Sequence, residues 1–291
     1  MARSLGQHFL TNRFYLNKIV DSLNVKGSDF VVEIGPGHGE LTEVLAFRLQ
    51  VLGKNWKLIT IEKDIKLVKF LKEKFSPDKN IEVVYGDALK ILPSITKTQN
   101  LTPKTYKLIG NLPYYITGYL LRILGELEPK PKTIVFTIQK EVAQRIIAQP
   151  PKMNLLAASV QFWAKPEIIG YIPKTAFSPQ PKVDSAIIKL VPIPYALSPK
   201  PYYRLIKILF KQPRKTILNN LINIKRADLP KIDINIWRLN LQELLKKTGI
   251  NPNDRPQNLS IVKISQMSYY LEVPIIMMVP KAGMAPHSQQ P

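Results

Sequence analysis

Short apolar runs alternate with amphipathic stretches over the first two-thirds of the chain. Five runs, rich in β-branched and aromatic residues, have the length of buried strands: Phe30–Ile34, Lys57–Ile61, Ile81–Tyr85, a run from Tyr106 that ends at Asn111, and Thr133–Thr137. Between them, apolar residues recur at three- and four-residue steps, which predicts helices over Leu41–Leu52, Ile65–Phe75, Gly118–Leu127 and Glu141–Ala148. This alternation favours a doubly wound α/β domain built on a parallel sheet.

The pattern changes in the last third. Two strand-like runs, Glu167–Ile172 and Ser185–Val191, are separated by a single loop, as in an antiparallel sheet edge. After the Pro-rich linker Val191–Pro194, helical patterns cover Tyr202–Ile224, Ile236–Lys247 and Pro256–Leu271. We therefore predict a first domain over residues 1–192, a small helical domain over 193–280, and a disordered tail over 281–291.

The charge balance indicates a polyanionic partner. The 291 residues include 42 Lys and Arg against 21 Asp and Glu, a net charge of +21 that exceeds what solubility requires. Nucleic acid is the first candidate; a generally basic proteome or a membrane surface is the alternative. No acidic residue lies between Asp184 and Asp228. We expect the basic residues of this stretch to contact phosphates rather than to form a solvated helix face. The residues are Lys207, Lys211, Arg214, Lys215, Lys225 and Arg226.

Several kinds of site are excluded by composition. The chain has no cysteine and therefore no disulfide, thiolate zinc site or cysteine nucleophile. Its three histidines, His8, His38 and His287, are too scattered for an obvious metal site. The first ten residues lack the apolar core of a signal peptide, and Val273–Val279 is too short to span a bilayer. We expect a cytoplasmic protein without a bound metal or a membrane segment.

The most informative motif is Asn111-Leu112-Pro113-Tyr114, at the carboxyl end of a predicted strand. The exocyclic amine of adenine is a poor nucleophile, because its lone pair is delocalised into the ring. An Asn side-chain carbonyl and the main-chain carbonyl of Leu112 can both accept its hydrogens, Pro113 fixes the local backbone, and Tyr114 offers a stacking surface. The motif therefore favours amine methylation; taken alone, it is equally compatible with a polar turn.

A cofactor site is predicted at the ends of three earlier strands. Gly35, Gly37 and Gly39 form a G-x-G-x-G loop after the first strand, a spacing more typical of S-adenosylmethionine sites than of dinucleotide sites. Glu62 ends the second strand, where a carboxylate can accept ribose hydroxyls, or it is a surface carboxylate beside Lys63. Asp87 follows the third strand and can accept from an adenine amine or cap a helix. The joint order of these motifs is the strong signal.

These motifs resemble the ribosomal RNA adenine dimethylase family over nearly the whole chain. Further matching segments are Gly6–Leu10, Gln139–Ala143, Phe177–Ser185, Arg214–Thr216 with Asn219–Leu221, and Arg255–Pro256 with Leu259–Ser260. The resemblance implies a Rossmann-like class I methyltransferase sheet and the cofactor S-adenosyl-L-methionine. It also implies dimethylation of two adjacent adenines in the 3′-terminal hairpin loop of small-subunit (16S) ribosomal RNA, by a monomer acting on a pre-30S particle.

The resemblance also implies roles for individual residues. His8 and Leu10 close over the cofactor, Gly35 lies against its amino-acid portion, and Asn111 bridges to the reaction centre. Tyr114 and Phe177 sandwich the target base. The family usually has Asn where His8 stands, so a neutral imidazole or a main-chain atom must serve there.

Three other functions compete with this interpretation. A large-subunit (23S) adenine methylase of the antibiotic-resistance type shares the chemistry, but the Asn-Leu-Pro-Tyr form and the Lys182–Ser185 run favour the small-subunit enzyme. A non-catalytic assembly or transcription factor could bind RNA on the same fold. Four intact residues weigh against it: Glu62, Asp87, Asn111 and Tyr114. A nucleotide-dependent oxidoreductase is a more distant alternative.

Overall fold

The computed structural model describes residues 8–98, 106–194, 199–222 and 234–272. The described residues divide into two compact units. The first unit falls within Met1–Ala148 and Ser159–Pro194, and the second within Gln149–Ala158 and Tyr195–Pro291. Residues 149–158 therefore group with the helical part of the chain, although they precede the last two strands of the main sheet.

Nine strands lie within the described residues of the first unit. They are β1 (Phe9–Leu10), β2 (Phe30–Ile34), β3 (Lys57–Glu62), β4 (Ile81–Tyr85), β5 (Lys107–Asn111), β6 (Thr133–Gln139), β7 (Ala164–Ile172), β8 (Phe177–Ser178) and β9 (Ser185–Pro192). Seven of them form one sheet in the order β4-β3-β2-β5-β6-β9-β7. The run β4 to β6 is parallel, whereas β9 pairs antiparallel with β6 and β7. The predicted class, a doubly wound parallel sheet with an antiparallel edge, is confirmed.

Eleven α-helices are described. They are α1 (Arg13–Leu23), α2 (Glu40–Leu52), α3 (Ile65–Phe75), α4 (Ala88–Thr98), α5 (Thr117–Glu126), α6 (Lys140–Ile146), α7 (Leu155–Gln161), α8 (Pro199–Leu209), α9 (Ile217–Ile222), α10 (Ile234–Lys247) and α11 (Ile261–Glu272). Side-chain caps begin several of them: Asn12 accepts from the Phe14 N–H before α1, and Asp64 accepts from the Lys66 N–H before α3.

The main core lies between the sheet and helices α1 and α2. The apolar face of α1, including Leu16, Ile19 and Leu23, packs with Leu45 and Leu49 of α2 against the central strands. The sequence pattern did not reveal α1, α4 or α7. Pro93 lies inside α4 and interrupts its apolar periodicity, because proline removes a helical donor.

The prediction of one helix over Tyr202–Ile224 is wrong. The chain turns between the end of α8 at Leu209 and the start of α9 at Ile217. Pro213 explains the break, because its ring has no N–H and clashes with the carbonyl four residues earlier. The buried Asn220 side chain then donates to the carbonyls of Gln212, Lys215 and Thr216 in this turn, at 3.0–3.2 Å.

The last predicted helix begins later than expected. Residues Pro256–Asn258 form a separate 3₁₀ turn, and α11 begins at Ile261, where the Ser260 hydroxyl accepts from the Lys263 N–H. The predicted tail over 281–291 lies outside the described residues. The described part of the chain contains no helix with the length and hydropathy needed to cross a membrane.

Candidate active site

A cleft opens in the first unit at the carboxyl ends of β2, β3, β4 and β5. The strand order runs from β2 to β3 and β4 on one side and to β5 on the other, so the cleft lies where doubly wound sheets bind ligands. Its volume is about 1150 Å³, including the part that opens to solvent. The lining includes every site residue predicted in this unit: His8, Leu10, Gly35, Gly37, Glu62, Asp87, Asn111, Leu112, Pro113, Tyr114 and Phe177.

The glycine loop between β2 and α2 forms one wall of the cleft. Gly35, Gly37 and Gly39 all have positive φ, at 68°, 61° and 88°, a conformation that favours glycine. A Cβ on Gly37 would lie 2.8 Å from the ring of Phe9, so the aromatic side chain closes directly onto the loop. The Gly35 N–H donates to the Ile61 carbonyl at 3.0 Å, which ties the loop to β3.

Glu62 is almost fully buried at the end of β3. One carboxylate oxygen accepts from the N–H groups of Lys63 and Asp64 at 2.8 and 2.9 Å, and the other accepts from the Gly37 N–H at 3.3 Å. Three backbone donors therefore hold the carboxylate in one orientation beside the glycine loop. This geometry is compatible with the predicted ribose contact, which stays a prediction.

Asp87 both caps a helix and forms an ion pair. One oxygen accepts from the Leu89 N–H at the start of α4, and the other lies 3.1 Å from the Lys63 ammonium. Partial burial opposes ionisation of Asp87, but the hydrogen bonds from Lys63 and Leu89 outweigh it and lower the pKa. The capping alternative is thus correct, and it leaves the predicted adenine contact untested.

Behind the loop, β2 carries a buried acid. Burial raises the pKa of Glu33 to about 8, although the hydrogen bond from the Thr42 hydroxyl at 2.7 Å opposes the shift and the charges of Glu62 and Glu40 add to it. The other oxygen, Oε1, has no hydrogen-bond partner among the described residues. This raised pKa favours the protonated form of Glu33 at neutral pH, and the hydrogen bond from Thr42 links β2 to α2.

Asn111 ends β5 with its amide orientation defined by a main-chain contact. Its Nδ2 donates to the carbonyl of His8 at 2.9 Å. Because the amide nitrogen is used, the carbonyl oxygen Oδ1 is the acceptor that remains for a ligand. The following residue is anchored too, since the Leu112 N–H donates to the Thr137 carbonyl at 3.2 Å.

The two aromatic residues predicted to hold a base both line the cleft. The Tyr114 hydroxyl lies 2.8 Å from the hydroxyl of Ser185, a fully buried residue at the start of β9, so the ring is held at both ends. Burial raises the pKa of Tyr114, and the hydrogen bond with Ser185 opposes this shift. Phe177 is only 6% exposed and packs in the core cluster, so it offers an edge or part of a face to the cleft.

His8 and Leu10 reach the cleft through a two-stranded ribbon. In it, β1 pairs antiparallel with β8, with Leu10 opposite Phe177. The His8 ring nitrogen Nδ1 hydrogen-bonds the Pro179 carbonyl at 2.7 Å, while the His8 carbonyl accepts from Asn111. The ring and the main-chain carbonyl of His8 therefore both bind other parts of the protein at the edge of the cleft. The contact of His8 with a cofactor stays a prediction.

Sequence comparison decides the family. Residues 1–273 match the family model described as ribosomal RNA adenine dimethylase.

The chain belongs to the ribosomal RNA adenine dimethylase family.

Curated relatives and solved structures agree with this family. The chain is 38% identical over 264 residues to ribosomal RNA small subunit methyltransferase A of Dehalococcoides mccartyi, covering 89% of this chain and 84% of the relative. It is 35% identical over 277 residues to the protein of that name from Bacillus pumilus, covering 93% and 91%. The resemblance inferred from the motifs is confirmed.

Solved structures extend the match to the fold. A dimethyladenosine transferase from Plasmodium falciparum superposes with a TM-score of 0.73 at 26% identity, covering 89% of this chain and 96% of the other. The 23S rRNA methyltransferase ErmE superposes with a TM-score of 0.66 at 24% identity, covering 90% and 99%, and this likeness concerns the fold alone. The class I methyltransferase fold is confirmed, and the large-subunit alternative is not favoured by the curated relatives.

Sequence reasoning missed several residues of this dimethylase cleft. Phe9 lies over Gly37, and Lys63 and Tyr115 lie at the rim. The signal for Phe9 was present, because it stands between two residues that were singled out. Ser185 was noted only as the end of a motif and the start of a predicted strand; its contact with Tyr114 joins residues 71 positions apart.

The predicted phosphate contacts of the dimethylase lie in the second unit. Lys207, Lys211, Arg214 and Lys215 are all exposed there, at the end of α8 and in the turn that follows. Lys225 and Arg226 lie outside the described residues. Exposure is what phosphate contact requires, and the role of these cations stays a prediction.

Proposed function

We propose that this dimethylase uses S-adenosyl-L-methionine to dimethylate N6 of two adjacent adenines in the 3′-terminal hairpin loop of small-subunit (16S) ribosomal RNA. The name shared by the curated relatives supports the small-subunit substrate. The orientation of the Asn111 amide carries the chemical part of the proposal. With Nδ2 engaged by His8, Oδ1 is available to accept from an adenine amine.

The cleft residues fit the proposed cofactor. At Gly37 the main chain forms part of the cleft wall with no side chain. Glu62 presents a buried carboxylate oriented by three N–H groups, and Asp87 lines the cleft after the neighbouring strand β4. When bound, the cofactor supplies an electrophilic methyl group. The chain's contribution is to hold the adenine amine in line with that group and to exclude water.

The target adenine must leave its stack to enter the cleft. Tyr114 provides a ring fixed by Ser185, and Phe177 provides a second apolar surface. The amine then donates its hydrogens to Asn111 Oδ1 and the Leu112 carbonyl, which returns electron density to the nitrogen. No strong general base is required, because the amine becomes acidic as it is alkylated and its proton leaves through Asn111, the Leu112 carbonyl or water. Most of the rate acceleration comes from holding the adenine amine in line with the methyl group.

The proposal includes the setting of the reaction. We place the enzyme, as a monomer, on a pre-30S particle, where the exposed cations of the second unit contact ribosomal RNA phosphates. Incubation with methyl-labelled S-adenosylmethionine tests this, using undermethylated small subunits, large subunits and naked RNA. We expect two dimethylated adenines in the 3′-terminal hairpin of small-subunit RNA. Label only in large-subunit RNA, or none in any substrate, would refute the proposal.

A further inference from the structure

Beside the cleft, α5 and the 3₁₀ turn Tyr114–Ile116 that precedes it expose a face that the proposed chemistry does not use. Tyr115 and Tyr119 are 63% and 51% exposed, although tyrosine is usually more buried than this. Gly118 and Arg122 are exposed on the same face. The opposite face of the helix, including Leu120, Leu121 and Leu124, is buried, so the exposed face is not needed for packing.

The spacing places these residues in one row. Positions 115 and 119 are four apart and positions 119 and 122 are three apart, which puts them on one side of a helical segment. Tyr115 also lines the cleft. The row therefore begins at the cleft and continues along α5 away from it.

Gly118 leaves an open space within this row. Apart from its chain neighbours and the backbone of its own helix, a Cβ built on Gly118 would meet no atom of the described residues within 4 Å, so none of their groups covers the backbone between the two tyrosines. Glycine is also a poor residue for a helix. Neither packing nor helix stability accounts for a glycine here, whereas a planar ligand lying against the backbone would.

Charge complements the rings. The Arg122 guanidinium lies 4.7 Å from the centroid of the Tyr119 ring, in a cation–π contact that fixes both side chains. Within the described residues, no carboxylate pairs with Arg122, so its charge is available. The Lys63 ammonium, which pairs with Asp87, is in electrostatic range of the Tyr115 hydroxyl. Exposed rings beside the Arg122 guanidinium fit single-stranded nucleic acid, which offers a base and a phosphate at each step.

We propose that Tyr115, Gly118, Tyr119 and Arg122, here termed the α5 platform, bind the unpaired nucleotides next to the target adenine. This rests on the proposed function for the identity of the RNA. When the adenine turns into the cleft, its neighbours in the loop lose a stacking partner. The rings of the α5 platform replace that partner, and Arg122 takes the adjoining phosphate.

The first test changes the rings. An RNA hairpin with the loop of small-subunit RNA, carrying 2-aminopurine beside the target adenine, reports stacking by fluorescence quenching. We expect Tyr119→Ala to weaken binding about tenfold and to reduce quenching, because one stacked base is lost. Tyr119→Phe keeps the ring and binds like the unmodified chain. Phe47→Ala, which removes another highly exposed ring from α2, should change neither signal.

The second test fills the open space. Gly118→Gln adds a long side chain where no atom interferes and improves helix propensity, so the melting temperature should not fall. RNA binding should nevertheless weaken about tenfold, since the side chain covers the stacking surface. A purely structural role for this position cannot produce that combination.

The outcomes separate this inference from the proposed function. Normal hairpin binding by both Tyr119→Ala and Gly118→Gln overturns the α5 platform, even if the unmodified enzyme methylates small subunits correctly. If the two variants lose binding to assembled subunits but bind the naked hairpin normally, the α5 platform contacts a protein partner and the inference is overturned. Absence of methylation by the unmodified enzyme overturns the proposed function, while the hairpin measurements still decide the platform.

Discussion

At the scale of single residues, the sequence predicts which side chains meet better than it predicts how they are oriented. The end of a strand places Asn111 at the cleft, and this was readable from the apolar run before it. The contact between Asn111 Nδ2 and the His8 carbonyl was not readable, because 103 positions separate the two residues. That contact determines which amide atom faces a ligand.

Removing the Asn111 side chain tests this orientation. We expect Asn111→Ala to lower the single-turnover rate of methyl transfer about 10²-fold or more, because one acceptor of the amine hydrogens is lost. Cofactor affinity, measured by titration calorimetry, should change only a few-fold, since the glycine loop and Glu62 are untouched. Near-normal turnover with cofactor bound would show that Oδ1 is not an acceptor in the reaction.

Glu33 makes stability depend on pH. Its pKa is raised to about 8 in the folded chain from 4.5 in the unfolded chain. Between these values the folded chain keeps a proton that the unfolded chain has released, so rising pH favours unfolding. Glu33→Gln removes this proton, and any cost of its buried amide does not vary with pH.

We therefore expect the free energy of unfolding of Glu33→Gln to rise relative to that of the unmodified chain from about pH 5 to pH 8. The change should amount to a few kcal/mol, at about 1.4 kcal/mol for each unit of pKa shift. Urea unfolding at several pH values measures the free energy of unfolding of both chains. Subtracting one from the other removes the pH dependence of the groups that the two chains share. Parallel curves for the two chains would contradict protonation of Glu33.

At the scale of elements, strands were easier to predict than helices. Four of the five parallel strands, β2, β3, β5 and β6, are buried along most of their length, so each reads as a nearly continuous apolar run, and the edge strand β4 is partly buried. Helix α4 escaped prediction because Pro93 interrupts its pattern, and the helix over Tyr202–Ile224 was overextended because the turn at Pro213 is flanked by helical periodicity. In both cases a proline, and not the apolar periodicity around it, accounts for the difference between prediction and structure.

The glycine loop allows a matched test at this scale. Gly37 and Gly249 have φ values of 61° and 62°, but only at Gly37 would a Cβ clash, with the ring of Phe9 at 2.8 Å. Both alanine variants carry the left-handed strain of about 1–2 kcal/mol. Gly37→Ala should lose more stability than Gly249→Ala and should also weaken cofactor binding at least tenfold.

Thermal unfolding and cofactor titration of the two variants check this prediction. Gly249→Ala, in the second unit, should bind cofactor like the unmodified chain. Equal losses of stability in the two variants would show that backbone strain alone, and not the contact with Phe9, makes glycine necessary at position 37.

At the scale of the whole molecule, composition predicted the class of partner and the motifs predicted the chemistry. The charge of +21 could not show where RNA binds, because it is a sum over the chain. The absence of acidic residues between Asp184 and Asp228 was more informative, since it located an uninterrupted basic stretch. The insertion of residues 149–158 into the second unit was not predictable, because it depends on contacts between segments distant in sequence.

The basic stretch leads to a quantitative expectation for binding to small-subunit RNA. Each phosphate contact contributes about 0.7–0.9 to the slope of log K against log salt concentration. Replacing four exposed cations of the second unit by Gln should therefore reduce the slope by about three: Lys207, Lys211, Arg214 and Lys215. The control removes the same charge from exposed lysines of the first unit: Lys54, Lys69, Lys72 and Lys79.

Filter binding over a range of salt concentrations measures both slopes. If the four cations contact phosphates, their removal flattens the salt dependence, whereas the control lowers affinity slightly through long-range attraction and leaves the slope nearly unchanged. Equal slopes for the two variants would mean that net charge alone draws the enzyme to RNA. In that case the RNA contacts of the second unit must come from residues other than these four.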